Sequence, residues 1–239
     1  MRNAKFILFA VFIFVVLPSF AQRKNISGNK NIQRQERNLA DFAAVSSLGS
    51  INVYISRGPV ALVVEADENV LPYIETEVSG GKLKISTSRE VNIRNATMKV
   101  HISMPDLREA NLAGSGSIRS TTALNSSGNF NAALTGSGNI NLEIQATDIM
   151  AKIAGSGNLH LSGNAGELKL NLTGSGNYRG FDLRSKTAQI RIAGSGSAEV
   201  NSAEALDVQI GGSGGVRYKG SPKISTSITG SGRVSAFER

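Results

Sequence analysis

Asp148 and Glu167 stand nineteen residues apart, and Lys186 follows nineteen further on. Each lies twelve residues beyond the first glycine of a Gly-Ser-Gly triplet, at Gly136, Gly155 and Gly174. If the chain returns to the same place once per triplet, two carboxylates and an ammonium become neighbours. Such a group has the donors for calcium, or for general acid–base work. The plainer outcome is an exposed ion-pair ladder, worth little energetically. That outcome is preferred, because no third carboxylate and no aromatic sugar platform joins the three in sequence.

Other reactive residue types are scarce. With no cysteine, thiolate metal sites, cysteine nucleophiles and disulfide staples are excluded. His101 sits between Val100 and Ile102, and His160 follows Leu159 in the outward phase of its stretch. Two isolated histidines suggest neither a zinc site nor a Ser/His/Asp triad. Ser115, Ser137 and their counterparts recur in every triplet, whereas a nucleophile is needed once, so repetition points to turn hydrogen bonding. The triplets also fail as phosphate loops. None continues into the Gly-Lys-Ser/Thr of a nucleotide-binding loop, and none carries the third glycine and helix of a dinucleotide site. The residues that follow are Ser117, Asn139, Asn158, Asn177, Ser197, Gly215 and Arg233, so the aspartate of calcium-binding nonapeptide repeats is missing. No catalytic residue, metal ligand set or cofactor is therefore expected.

What the triplets do is punctuate. They begin at Gly114, Gly136, Gly155, Gly174, Gly194, Gly212 and Gly230, at intervals of 18–22 residues. Two residues before each stands a large aliphatic: Leu112, Leu134, Ile153, Leu172, Ile192, Ile210, Ile228. Alternate positions on both sides of the triplet are mostly apolar, the period of strands with one buried face. Successive hairpins would not return the same side chain at every corner. A coil that winds once per repeat does, stacking like residues about 4.8 Å apart into apolar ladders. The spacing predicts an all-β parallel β-helix with glycine corners, glycine being tolerant of positive φ and close backbone approach. Outward columns then collect Arg119, His160, Arg179 and Arg217 on one line, and Lys152 and Arg191 on another. Glu199 interrupts the first line and Asn171 and Gln209 dilute the second, so a nucleic-acid partner is not expected, while an anionic glycan is conceivable.

The chain of 239 residues carries a net charge of +8. Residues 1–21 combine Arg2 and Lys5 with an apolar run too short to span a bilayer and end in Ser-Phe-Ala, the pattern of a cleaved export signal. Residues 22–38 are polar and basic and read as a linker preceding the fold. Residues 39–113 lack the triplet but alternate, as in "GSINVYIS", "KLKISTS" and "TMKVHISM", and read as an irregular start or cap of the solenoid. Ser79-Gly80-Gly81 is a turn, and Asp67–Leu71 a helical turn capped by Asp67 and limited by Pro72. Residues 114–239 form the regular helix. Its last coil is open, to be covered by Phe237 or by a second molecule through self-association.

The stretches "VEADENVLPYIETEVSGGKLKI" (64–85), "VHISMPDLREANLAGSGSI" (100–118) and the "GSGNI" and "GSGNL" corners resemble the adhesin-like head GIN domain of Bacteroidetes-type envelope proteins. The similarity covers about residues 39–239, with Gly215 and Arg233 departing from the Asn that follows other corners. The resemblance implies a right-handed β-helix and transfers no catalytic residue. The combined expectation is an exported, non-catalytic solenoid in the periplasm, on the outer surface or secreted, binding glycan or protein through a sheet face. The competing expectation is an acidic-polysaccharide lyase or hydrolase on the same scaffold.

Overall fold

In the computed structural model, residues 23–237 are described; the expected export signal lies outside them. The strands that precede and follow each triplet build two facing sheets joined at the glycine turns. One sheet stacks Ala44–Gly49, Glu109–Gly114, Phe130–Gly136 and Asp148–Gly155 in parallel, then continues through the longer strands to Lys223–Gly230. The other stacks Asn52–Arg57, Ser117–Ser120 and Asn139–Gln145, and ends at Arg233–Ala236. Asn158–Gly174 and Asn177–Gly194 each run through both sheets within one coil. The chain is a parallel β-solenoid.

The predicted columns form in register: Leu112 pairs with Leu134, then Ile153, Leu172, Ile192, Ile210 and Ile228. All but Ile228 are buried in the space between the sheets. Opposite them Ile118, Ile140, Leu159, Tyr178, Ala198 and Val216 make a second buried ladder. Tyr178 is large for its column. Gly180 makes the room: a Cβ there would lie 2.5 Å from the Tyr178 ring. Total volume is thus conserved locally, which a close-packed core requires.

Each turn is built on a carbonyl. The Gly114 oxygen accepts from the backbone N–H groups of Ser137 and Gly138 at 3.1 and 2.9 Å, and Gly136 accepts from Ser156 and Gly157 at 3.0 and 3.0 Å. The serine takes part in this turn bonding through its backbone N–H. The first glycine sits at positive φ, +125° at Gly155. The second glycine is small because of contact: a Cβ on Gly157 would lie 2.5 Å from the Gly138 oxygen and 2.7 Å from Leu134 Cδ2, so the turn rests on the backbone and the aliphatic ladder of the preceding coil. After the turn, Asn158 donates to Asn139 at 2.9 Å and Asn177 to Asn158 at 3.0 Å, an amide ladder of the kind stacked strands favour.

Gly49 forms the earliest corner, pairing with Gly114. Between them the chain builds an end structure. Lys82–Thr87 adds in parallel to Ala44–Gly49, and Ile74–Ser79 folds back on it antiparallel through the Gly80-Gly81 turn. On the other sheet Met98–Met104 adds in parallel, Ala61–Asp67 antiparallel to that, and Ile32–Glu36 antiparallel again. Segment 22–38 is therefore more than a linker: Lys24–Ser27 and Ile32–Glu36 are strands, the former paired with Val91–Arg94. They are held by Ile26, which is buried, and by ion pairs and backbone bonds, so composition alone conceals them. The expected helical turn shifts to a short 3-10 helix at Leu71–Tyr73 with Pro72 inside it, and Val70 stands at its cap without a side-chain bond. Asp67 is diverted: its carboxylate accepts from the backbone N–H groups of Thr97, at 2.6 Å, and Lys30.

Candidate functional site

Three places gather polar side chains. The acidic pair comes first. Asp148 and Glu167 are register partners in adjacent coils, as their spacing predicts. Lys186 does not join them. Glu167 pairs with Thr187, because the coil from Gly174 to Gly194 is one residue longer, and the extra residue is taken up between Arg179 and Leu183, opposite His160–Gly163. The ammonium beside Glu167 is Lys169, at 2.7 Å. Asp148 accepts from the Glu167 backbone N–H at 3.0 Å, so it serves the coil-to-coil junction. Among the described residues, no three His, Asp or Glu side chains converge as metal ligands.

The second place is the outer face of the sheet following the turns. Arg119, Asn141, His160, Arg179, Glu199 and Arg217 form one column, each the register partner of the next. Glu199 is bound by Arg217, which removes one charge from the line. His160 lies 3.8 Å from Asp182. Toward the N-terminal end the column continues through Tyr54 to His101, whose rings stack at 5.1 Å. Sequence reasoning found no partner for His101. Its Nε2 is 3.5 Å from Glu65, a carboxylate that also takes Lys99 at 2.8 Å and Arg34 at 2.7 Å. Lys99 and then Arg34 outweigh burial and lower Glu65 from 4.5 to about 2. This cluster ties Ile32–Glu36 to the sheet end. Arg34, Lys99 and His101 lie 31, 34 and 36 residues from Glu65, with no repeating interval to reveal them.

The third place is the outer face of the sheet preceding the turns. Lys152, Asn171, Arg191, Gln209 and Ser227 run in register. Beside them lies a column of small residues, Ala154, Thr173, Ala193, Gly211 and Thr229, which leaves a shallow groove of about 480 Å³ lined by Asn171, Thr173, Arg191, Gln209 and Ser227. Arg191 Nε donates to Gln209 at 3.4 Å, aligning the two planar groups along the groove. A wider cleft, about 930 Å³, opens at the opposite edge of the coils beside Asp106, Arg108, Asn125, Gln145 and Asn164. Burial works to raise Asp106, but the Ser127 N–H, Arg108 and the Ser127 hydroxyl hold it below the usual carboxylate range. That carboxylate is committed to its own loop.

The fold is a repetitive solenoid with polar outer columns, in which the Glu65, Asp106 and Asp148 carboxylates are held by neighbouring groups. The chain belongs to the family described as "Putative auto-transporter adhesin, head GIN domain", whose sequence model matches residues 41–222. A structure from Parabacteroides distasonis ATCC 8503, described as a "putative lipid binding protein", is 30% identical with a TM-score of 0.73, covering 90% of this chain and 100% of that one. A "putative adhesin" from Bacteroides fragilis NCTC 9343 is 22% identical with a TM-score of 0.80, covering 89% and 100%. Another "putative adhesin", from Parabacteroides merdae ATCC 43184, is 21% identical with a TM-score of 0.70, covering 90% and 100%. No curated protein matches the chain. Among the described residues no helix is long and apolar enough to cross a membrane.

Proposed function

We propose that the protein is an exported, non-catalytic, adhesin-like solenoid that binds an acidic surface glycan along the groove beside Arg191. The observation that supports this most directly is the in-register line Asn171–Arg191–Gln209–Ser227 along that groove, with Lys152 one coil beyond its end. Planar amides and a guanidinium suit sugar hydroxyls and carboxylates, and Arg offers two parallel donors to a carboxylate. The coil rise of about 4.8 Å is close to the length of one sugar residue in an extended chain, so successive coils can meet successive sugars. Each contact is weak and exposed; affinity comes from repetition along the face.

The test is a glycan array followed by titration of purified protein with the acidic polysaccharides that score. Arg191→Ala and Lys152→Ala should each weaken binding about fivefold or more, the loss of one charge-assisted bond. Arg119→Ala, on the opposite sheet, should not. Absence of glycan binding, or binding indifferent to Arg191, overturns the reading. Lipid vesicles form a parallel arm, and capture by vesicles alone also overturns it. Cell fractionation with antibody against the protein checks export.

A further inference from the structure

The two ends of the solenoid are finished differently. At the N-terminal end the outermost strands are antiparallel additions that carry charges: Glu75 and Glu77 on Ile74–Ser79, Arg34 and Glu36 on Ile32–Glu36. Charged edges discourage further strand pairing. At the C-terminal end Lys223–Gly230 pairs with Ala205–Gly212 on one side, and among the described residues nothing pairs with the other. Its only charge is at Lys223, its first residue. Ile224 and Ile228 continue the core ladders, in register with the buried Leu206 and Ile210, yet stand 39% and 40% exposed. Phe237 does not cover them. It packs instead on Phe181, with ring centroids 4.7 Å apart, under the Lys219 ammonium.

The strand reads Lys-Ile-Ser-Thr-Ser-Ile-Thr, and from Ile224 to Ile228 it is the same in both directions about Thr226. We infer that this edge pairs with the same edge of a second copy, antiparallel and centred on Thr226, giving a tail-to-tail dimer in which two solenoids share one continuous core. The twofold axis passes through Thr226. Ile224 then faces Ile228 of the second copy, Ser225 faces Ser227, and Thr226 meets its own mate, where two hydroxyls can bond. Ile224, Thr226 and Ile228 point to the core side, since their register partners Leu206, Val208 and Ile210 are buried. The pairing therefore seals the open ladders of both copies at once. Lys223 faces Thr229 of the second copy, and the two Lys223 ammoniums lie about 20 Å apart along the strands, beyond the screening length of about 8 Å. The contact is isologous, so it closes at two, and the charged N-terminal edges oppose growth into fibres.

Because the chain has no cysteine, single cysteines report the register directly. Purified protein should sediment as a dimer at micromolar concentration. Thr226→Cys should form a disulfide dimer under mild oxidation, since directly opposed antiparallel residues lie within disulfide reach. Ile224→Cys and Ile228→Cys should each cross-link poorly alone and efficiently when mixed. T226K places two ammoniums on the axis and should weaken association about tenfold or more. Its circular dichroism should be unchanged, because Thr226 lies on the exposed last coil. A monomer at all concentrations, a dimer that survives T226K, or cross-linking of either isoleucine position alone in preference to the mixture overturns the inference. So does edge pairing only with an added, different protein.

Discussion

The Asp148 carboxylate accepts from the backbone N–H of Glu167, its register partner one coil on, at 3.0 Å. A side chain that completes the ladder between coils is committed to structure. Asp148→Ala is expected to lower unfolding free energy by about 1 kcal/mol, the worth of one such bond, measured by urea denaturation. Incubated with acidic polysaccharides, with and without calcium, the native protein should release no products. Product formation lost in Asp148→Ala or Glu167→Ala would establish the enzyme that the acidic pair first suggested.

The glycine turns make a sharper test. Gly155→Ala forces an L-residue to φ +125° and sets its Cβ 2.5 Å from the Gly136 oxygen. Strain at such a backbone costs of order 1–3 kcal/mol, and the clash adds to it. Gly128 has open space around its Cβ position and no positive φ. Gly128→Ala should leave the melting temperature within a degree or two, while Gly155→Ala lowers it by several degrees. Equal effects in the two variants would mean the turns do not stack as described.

Acid should loosen the N-terminal end first. Glu65 titrates at about 2 in the folded chain against 4.5 ordinarily, held down by Lys99 and Arg34. A depressed carboxylate contributes stability that is fully present above about 4.5 and is lost as pH falls toward about 2. The protection of Ile32–Glu36 and Ala61–Asp67 against hydrogen exchange, taken relative to the intrinsic rate at each pH, should therefore fall in that window. In Glu65→Gln the fall should shrink, from a lower starting stability.

Tyr178 predicts a gain. Its hydroxyl is buried and, among the described residues, has no hydrogen-bond partner, and burial drives its ionisation upward. An orphaned polar group costs about 1–3 kcal/mol, so Tyr178→Phe should be neutral or stabilising. Chemical denaturation reads the sign. A loss above about 1 kcal/mol would mean that the hydroxyl is bonded in solution.

Much of the repeat region can be read from spacing alone. The Leu112–Ile228 column, the glycine turns and the outward line from Arg119 to Arg217 all form as the intervals require. Two failures show the limit. Counting forward from Gly174 places Lys186 beside Glu167, but strand pairing is anchored at Gly194, and the extra residue is absorbed between Arg179 and Leu183. Segment 22–38 showed no apolar period because charges hold it: Arg34 on Glu65, and the Lys30 N–H on Asp67.

The sequence by itself determined that the chain coils, where it turns and which aliphatics line the interior. Those facts rest on local periodicity repeated down an axis, and each coil sees only its neighbours. Tertiary structure alone decided what happens at the two ends and between unrelated segments: the antiparallel strands over the first coil, the Glu65 cluster, and the uncovered Ile224 and Ile228. Such contacts join residues with no common interval, and their energies depend on burial and charge in three dimensions. Periodicity carries no record of them.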